Sequence, residues 1–470
     1  MEASGYHIPV ELQQLLSPEQ AFHYRIVPSE SQNGSLCFLT DQHETATLAS
    51  ELAIILGKKV QLSVTDSETL QKYLVSNYRK SVSGASEDLN FTPDFLEKVL
   101  RTAKEIGSSD IHFEPYENYC RIRFRIDGKL IEQYRIAIEE YPVIINKIKI
   151  RSGLDISEKR LPQDGRITVG EGFDEFDIRV SSLPTLHGEK IVLRILSKDA
   201  ANVTLEELGF TPEELRRYLE CIKKPNGIVL ISGPTGSGKT TTLYATLKLL
   251  NDSSINIITI EDPIEYTLEG VNQVQLRENI GLDFASALRT FLRQDPNIIM
   301  VGEIRDTATA NMAIRAALVG RLVLSTIHTN SAWATISRLI DMGIPPFLIA
   351  STLNVSVAQR LVRKLCLHCK TKAPVNSSLF PESFRIPDTL THHYEATGCN
   401  QCYHTGYNGR KAVYEIIPIT KELIPYIKDH RHEIDAYLAG KKIKTLKTNA
   451  VALISSGITS VEEAYALLMD

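Results

Sequence analysis

Phosphate binding and metal ligation are the two chemistries that residue types and spacings in this chain suit. Residues 233–240, Gly233-Pro234-Thr235-Gly236-Ser237-Gly238-Lys239-Thr240, fit the pattern G-x-x-x-x-G-K-[S/T] at every fixed position. The glycines let backbone N–H groups close around phosphate oxygens. Lys239 supplies a mobile positive charge for the β and γ phosphates, and Thr240 a hydroxyl ligand for Mg²⁺. Residues 228–231 read as a short buried strand entering the loop, and Thr241 opens a helix leaving it. A chance match in a glycine-rich turn is the alternative, and the strand–loop–helix setting stands against it. The chain is expected to bind a nucleoside triphosphate such as ATP.

Hydrolysis needs an acidic group at a neighbouring strand end. Ile298-Ile299-Met300-Val301-Gly302-Glu303 is an apolar strand ending in a carboxylate, with Gly302 where an aspartate is usual. Glu303 is placed to orient and deprotonate the attacking water; the bland alternative is a simple pair with Arg305. A second cluster, Glu261-Asp262-Pro263-Ile264-Glu265, follows the apolar residues 257–260 and suits the metal and water side of a phosphate site. A solvated acidic turn would look the same. Residues 322–329 are a third apolar strand with a polar tip, where His328 is a candidate γ-phosphate sensor, although a lone histidine is more often just a satisfied side chain. Arg179 and Arg194 sit on alternating strands outside this core. An arginine there can be delivered to phosphate from another domain, but on the residues alone salt bridges explain both better.

Cys366, Cys369, Cys399 and Cys402 form two C-x2-C pairs with 29 residues between them. Four thiolates on two tight turns suit a tetrahedral Zn²⁺ with no open position, hence a structural site. The spacing exceeds that of many compact zinc ribbons, so the metal would clip an inserted excursion. Cys37, Cys120 and Cys221 are isolated and read as free, buried thiols, as expected in a reducing compartment.

The elements that must position these groups follow from length and pattern. At 470 residues the chain exceeds one core and should hold roughly three domains. Its 43% hydrophobic and 23% charged residues are ordinary for a globular protein, and a net charge of −5 weighs against an extended nucleic-acid footprint. No apolar run approaches the ~18 residues of a membrane span, and the first residues lack a secretory pattern; a cytoplasmic protein is expected. Residues 1–80 read as a small α/β domain with a helix near 46–53, and 80–88 as a linker. Residues 88–200 read as an α+β domain, with helices at 95–106 and 142–150 and strands at 111–114, 120–126, 176–180 and 190–196. From residue 205 to 470, strands at 228–231, 256–260, 297–301 and 321–325 alternate with helices, the pattern of a parallel nucleotide-binding sheet. The cysteine insert spans 363–410, and 411–470 read as C-terminal helices, the last capped by Ser460 with Glu463 three residues on.

Together these motifs resemble the secretion ATPase superfamily, most closely the type II secretion E ATPases and the type IV pilus assembly ATPases, over roughly residues 85–470. The resemblance rests on the phosphate loop continued through Thr241-Thr242-Leu243-Tyr244, on Thr259-Ile260-Glu261-Asp262-Pro263-Ile264-Glu265-Tyr266, on Gly302-Glu303-Ile304-Arg305-Asp306, on residues 320–330 and on the four cysteines. It implies an α/β fold with a RecA-like P-loop core, Glu303 as the catalytic carboxylate with Glu261, Lys239 and His328 beside it, and Arg179 and Arg194 presented to the nucleotide. One departure stands out: Arg321 replaces the histidine that usually follows Gly320, and is an additional candidate phosphate contact. The resemblance further implies ATP, Mg²⁺ and Zn²⁺, a homohexamer peripheral to the inner membrane, and a platform-protein partner bound through the N-terminal domain. The expected function is a motor for pseudopilus assembly in type II secretion, with a type IV pilus assembly ATPase, including one for a DNA-uptake pilus, as the alternative. A nucleotide-dependent scaffold without turnover and a direct nucleic-acid motor are the rivals of other classes; intact Lys239, Thr240 and Glu303 stand against the first, the negative charge and single tryptophan against the second.

Overall fold

In the computed structural model the strands form four sheets, the fully buried ones from apolar runs such as Gly227–Ser232 and the exposed ones from largely polar stretches such as Lys370–Pro374. The structure describes residues 15–16, 18–29, 36–42, 45–67, 69–70, 73–74, 95–170, 176–196, 203–431 and 433–469. The expected linker at 80–88 lies outside the described residues. The first unit comprises α1 (Pro18–His23), β1 (Ile26–Pro28), β2 (Leu36–Thr40), α2 (Thr45–Leu56) and β3 (Val60–Val64). Strand β2 pairs antiparallel with β1 and parallel with β3. Period-two alternation buries Leu36, Phe38 and Thr40, and Phe38 packs in one core with Leu48 and Leu52 of α2. Cys37, on the other face, is only half-buried, whereas Cys120 and Cys221 are buried as expected.

The second unit runs α3 (Phe95–Glu105), β4 (Asp110–Pro115), β5 (Cys120–Ile126), β6 (Lys129–Ile136), α4 (Tyr141–Arg151), β7 (Gln163–Val169), β8 (Phe176–Thr185) and β9 (Gly188–Leu196). Its six strands lie in the order β6-β5-β4-β9-β8-β7, every pair antiparallel. Phe95, Leu96, Val99, Leu100 and Ala103 form the buried stripe of α3 and share a core with Phe176, Ile178 and Val180 of β8. The same alternation turns Asp177, Arg179 and Ser181 to the opposite face. Lys149 of α4 is wholly buried. Its Nζ donates to Glu189 Oε1 at 2.8 Å and to the Glu158 carbonyl at 2.7 Å, so the charge is paired where an unpaired one would be costly.

The third unit begins with α5 (Pro212–Ile222), β10 (Gly227–Ser232), α6 (Lys239–Leu250), β11 (Ile257–Glu261), β12 (Asn272–Gln275), α7 (Phe284–Phe291), β13 (Ile298–Val301), α8 (Thr307–Leu318) and β14 (Leu322–Ile327). It continues through α9 (Ala334–Asp341), α10 (Pro346–Thr352), β15 (Leu353–Leu365), β16 (Lys370–Pro374), β17 (His392–Ala396) and β18 (Tyr407–Pro418). It closes with α11 (Ile424–Lys428), α12 (Asp435–Gly440), α13 (Leu446–Ser455) and α14 (Val461–Met469). The main sheet has the order β12-β11-β13-β14-β10-β15-β18. It is parallel from β12 to β15, with β18 antiparallel at the edge. Strands β10, β11, β13 and β14 are buried at every position, as a parallel sheet covered on both faces requires.

Two differences from the sequence expectation have a physical cause. Residues 411–418, expected among C-terminal helices, belong to β18, and helix resumes only at Ile424. Strand β15 was equally hidden, because it starts directly after α10 with no turn residue between them. The expected cap on the last helix is present, Glu463 N donating to Ser460 Oγ at 3.1 Å. The Glu463 carboxylate does not return to the cap but takes Arg363 at 2.7 and 3.0 Å.

Candidate active site

The parallel strands deliver their carboxyl ends to one edge of the sheet, where such folds place ligands. Strand β10 ends at Ser232 and the phosphate loop follows, with α6 starting at Lys239 and Gly238 as its N-cap. Gly233 is required by close approach: a methyl there would meet the Gln359 carbonyl at 2.4 Å and Ser237 Oγ at 2.6 Å. Pro234, Thr235, Gly236 and Thr240 are exposed, and Thr241 is half-buried at the first turn of α6. Ser232 Oγ and Ser237 Oγ are buried without a hydrogen-bond partner among the described residues. Orphaned hydroxyls and a helix N-terminus suit a phosphate and its metal. Lys239 Nζ folds back to the carbonyls of Gly233 and Pro234 at 2.8 and 3.1 Å. Burial lowers its pKa, and the nearby negative charge of Glu303 opposes that shift.

Glu303 follows β13 and is the centre of a charged group. Its Oε1 lies 2.5 Å from Arg305 Nη2, and its Oε2 lies 3.5 Å from His328 Nε2. Arg305 also reaches Asp262 at 3.5 Å. The pairing with Arg305 is therefore real, yet Glu303 also faces His328 and bears electrostatically on Lys239. His328, after β14, is more than half exposed.

Glu261 ends β11 in a different setting. It is 3% exposed and accepts from Thr259 Oγ1 at 2.6 Å, from Gln273 Nε2 at 3.1 Å and from the Tyr244 hydroxyl. Since Tyr244 lies on α6, this carboxylate ties β11 to the helix that leaves the phosphate loop. Burial and the Glu261 charge push Tyr266 up to about 12 and Tyr244 higher still.

The two candidate arginines are neighbours, Arg179 and Arg194 being paired across β8 and β9. Arg194 Nε donates to Asp110 Oδ1 at 2.9 Å and feels the charge of Glu265 beyond β11. Arg179 has no hydrogen-bond or ion-pair partner among the described residues, so the salt-bridge explanation holds for Arg194 alone. Arg321 does not reach this edge. It precedes β14, in register with the start of β10, and pairs with Asp295 at 3.1 Å. It therefore sits about six strand residues, roughly 20 Å, from the phosphate loop and is no phosphate contact.

The cysteines form the second centre. Their four Sγ atoms all lie within 4.8 Å of one another. The separations Cys366–Cys399 and Cys369–Cys402 are 3.8 Å, and Cys399–Cys402 is 3.7 Å. Four sulfurs about 2.3 Å from one tetrahedral Zn²⁺ would stand about 3.8 Å apart, so the donor set fits the ion. Cys402 Sγ also accepts from the amides of Cys399 and Gly406, each at 3.2 Å, the outer-shell support a thiolate ligand needs. Gly406, at φ 77°, has no room for a side chain, since a methyl would lie 2.5 Å from Ala396 Cβ.

Sequence reasoning passed over Gln359 and Arg360. No local signal marks them, because β15 also carries Asn354, Ser356 and a second polar pair, Arg363 and Lys364.

Comparison with known proteins agrees with this geometry. A family model described as "Type II/IV secretion system protein" matches residues 85–466. The type IV pilus assembly ATPase PilB of Pseudomonas aeruginosa is 45% identical over 381 residues, 80% of this chain and 67% of that protein. The type II secretion system protein E of the same organism is 40% identical over 464 residues, 91% of each chain. Among solved structures, the pilus retraction motor PilT with bound ADP superposes with a TM-score of 0.53 at 25% identity, over 79% of this chain and 96% of that one.

Proposed function

Because the chain belongs to the type II/IV secretion system protein family, and so to a family of ATP hydrolases, we propose that it is the motor that drives pseudopilus assembly in type II secretion. The observation that carries the hydrolytic part is Glu303, set between Arg305 and His328 at the strand edge that also bears Lys239. In this reading residues 233–241 and Lys239 hold the phosphates, and Thr240 holds Mg²⁺, which when bound would neutralise phosphate charge. Glu303 takes the proton of the attacking water, His328 orients Glu303 against the γ-phosphate, and Glu261 lies on the metal side. Arg179 and Arg194 bring positive charge from the α+β domain, residues 88–200, to the ATPase domain, residues 205–470. The lack of a partner for Arg179 among the described residues supports that assignment, since such a cation is available to an anion. The cysteines hold one structural Zn²⁺.

The motor would work as a homohexamer at the cytoplasmic face of the inner membrane, docked to platform proteins through residues 1–80. Among the described residues no helix is long and apolar enough to cross a membrane. Assembly of a type IV pilus is the second reading, favoured by 45% identity to PilB; the type II protein E aligned over 91% of both chains favours the first. Deletion in the source organism, complemented by wild type or Glu303→Gln, decides between them when secreted proteins and surface pili are scored together. Lost secretion with pili intact supports the proposal, and lost pili with secretion intact replaces it with the second reading.

A further inference from the structure

The loop that carries His328 is fastened from two sides by charged residues lying outside the motifs that bind and cleave the nucleotide. Strand β15 runs parallel beside β10 with Ser232 opposite Ala358. The next residues, Gln359 and Arg360, therefore arrive level with the first glycine of the phosphate loop, and a methyl on Gly233 would lie 3.2 Å from Arg360 Nη1. From there Arg360 Nη2 donates to the Asn330 carbonyl at 2.7 Å, while Nη1 donates to the Gln359 carbonyl at 3.1 Å. On the far side of the same loop the Ala332 amide donates to Glu415 Oε1 at 2.8 Å. Glu415 is buried on β18 and also accepts from the Leu446 amide at 3.2 Å. Residues 329–332 are thus strung between a cation at the phosphate loop and a carboxyl group in the core.

Among the described residues His328 has only a 3.5 Å approach to Glu303, and it is more than half exposed. A side chain held so loosely takes its direction from its own backbone, and that backbone is pinned two residues later by Arg360. The cation has a cost, because its charge works against protonation of Lys239. A neutral donor would satisfy one carbonyl without that penalty; a planar guanidinium bridges two carbonyls in fixed geometry.

We propose that Arg360 is a positioning residue for hydrolysis: it clamps the Asn330 carbonyl to the phosphate loop and so holds His328 against Glu303. The proposal rests on the hydrolase reading of Glu303 and His328. The test uses the full chain with Mg²⁺ and ATP in a double-mutant cycle. Arg360→Ala is expected to lower kcat about tenfold to a hundredfold, the scale of a displaced reacting group, with KM within about twofold of wild type. In a His328→Ala background the same change should cost less than about twofold. Equal losses in both backgrounds, or a raised KM with kcat kept, would overturn the proposal and make Arg360 a direct phosphate contact. A readout independent of turnover is amide hydrogen exchange at residues 329–332, expected to quicken in Arg360→Ala while β10 and β14 stay protected. Unchanged exchange overturns the clamp even in an active enzyme, whereas an inactive wild type with quickened exchange faults the hydrolase reading and leaves the clamp standing. Should the alanine variant fail to fold, Arg360→Gln, which keeps one donor, is carried through the same cycle and exchange measurement.

Discussion

Lys239 and Glu303 are the residues on which turnover should depend most sharply, and they fail in different ways. Removing the Lys239 ammonium leaves the phosphate charges uncompensated at the loop, so Lys239→Ala is expected to abolish hydrolysis and to weaken binding of a fluorescent ATP analogue. Glu303→Gln keeps the shape but not the base. It should lower kcat by about a hundredfold or more while analogue affinity stays within a fewfold, as loss of a general base predicts; normal turnover in either variant would refute the assignment. The two arginines separate stability from activity. Arg194 is held by Asp110, which Arg125 also approaches at 3.2 Å, whereas Arg179 has no partner among the described residues. Arg179→Ala should therefore change stability by no more than about 0.5 kcal/mol in a urea melt and yet reduce ATP turnover, and a variant with full turnover would return Arg179 to the surface. Lys239, Glu303 and the cysteines were legible because their chemistry is written at fixed local offsets. Arg360 was not, because its meaning comes from Gly233 and Asn330, which only the pairing of β15 with β10 brings near.

Elements were legible where the core takes both faces and turn residues bound the run; β15, mostly buried but continuous with α10, met only the first condition. Strands β10, β11, β13 and β14 are buried throughout and stand out as apolar runs. Strand β6 is half-exposed along most of its length, and in β18 the first residue, Tyr407, is followed by Asn408, Gly409, Arg410 and Lys411. Both are strands because a partner lies alongside, and for β18 that partner is β15, some fifty residues away. The metal-bearing excursion is another such case. Its paired strands β16 and β17 are tied to the C-terminal helices where Lys370 Nζ donates to the Gly457 carbonyl at 2.8 Å. Elemental analysis is expected to find one zinc per chain, and chelation or Cys369→Ser should open residues 366–406 to protease while β10–β14 stay protected; a chain without metal and equally resistant would remove the claim. In the α+β domain, burial alone would raise the Glu114 pKa, but Arg123, Arg121 and Lys190 outweigh it and hold it at about 2 against an ordinary 4.5. A carboxylate whose folded value lies below its unfolded one contributes stability above about pH 4.5 and loses it as the pH falls toward 2. Acid unfolding followed by exchange in β4 and β5 should show that loss, and Glu114→Gln should flatten it while costing about 2 kcal/mol at neutral pH, because three cations lose their shared partner.

At the scale of the molecule, one chain brings the phosphate loop and Glu303 to a single sheet edge, while Arg179 lies on β8 of a separate sheet with no partner among the described residues. Contact between the α+β and ATPase units runs through the turn at Asp127, which accepts from the Gly409 amide at 2.7 Å and lies 3.6 Å from Arg410. On the other side, Arg194 feels the charge of Glu265. In the proposed motor these units shift against each other when the charge between them changes as ATP becomes ADP and phosphate. A motor needs that shift in one subunit to alter its neighbours, and a closed ring makes such coupling testable. If sites fire independently, mixing wild type with an equal amount of Glu303→Gln chains leaves half the activity. If every site of a hexamer must be competent, only about one ring in sixty-four is wholly wild type, so activity falls to roughly 2%. The proposed hexamer is expected to lie well below the half-activity line, measured as ATP turnover after the two chains are unfolded and refolded together. A strictly proportional decline would mean that each chain hydrolyses alone, and the unpaired Arg179 would then have to serve its own nucleotide.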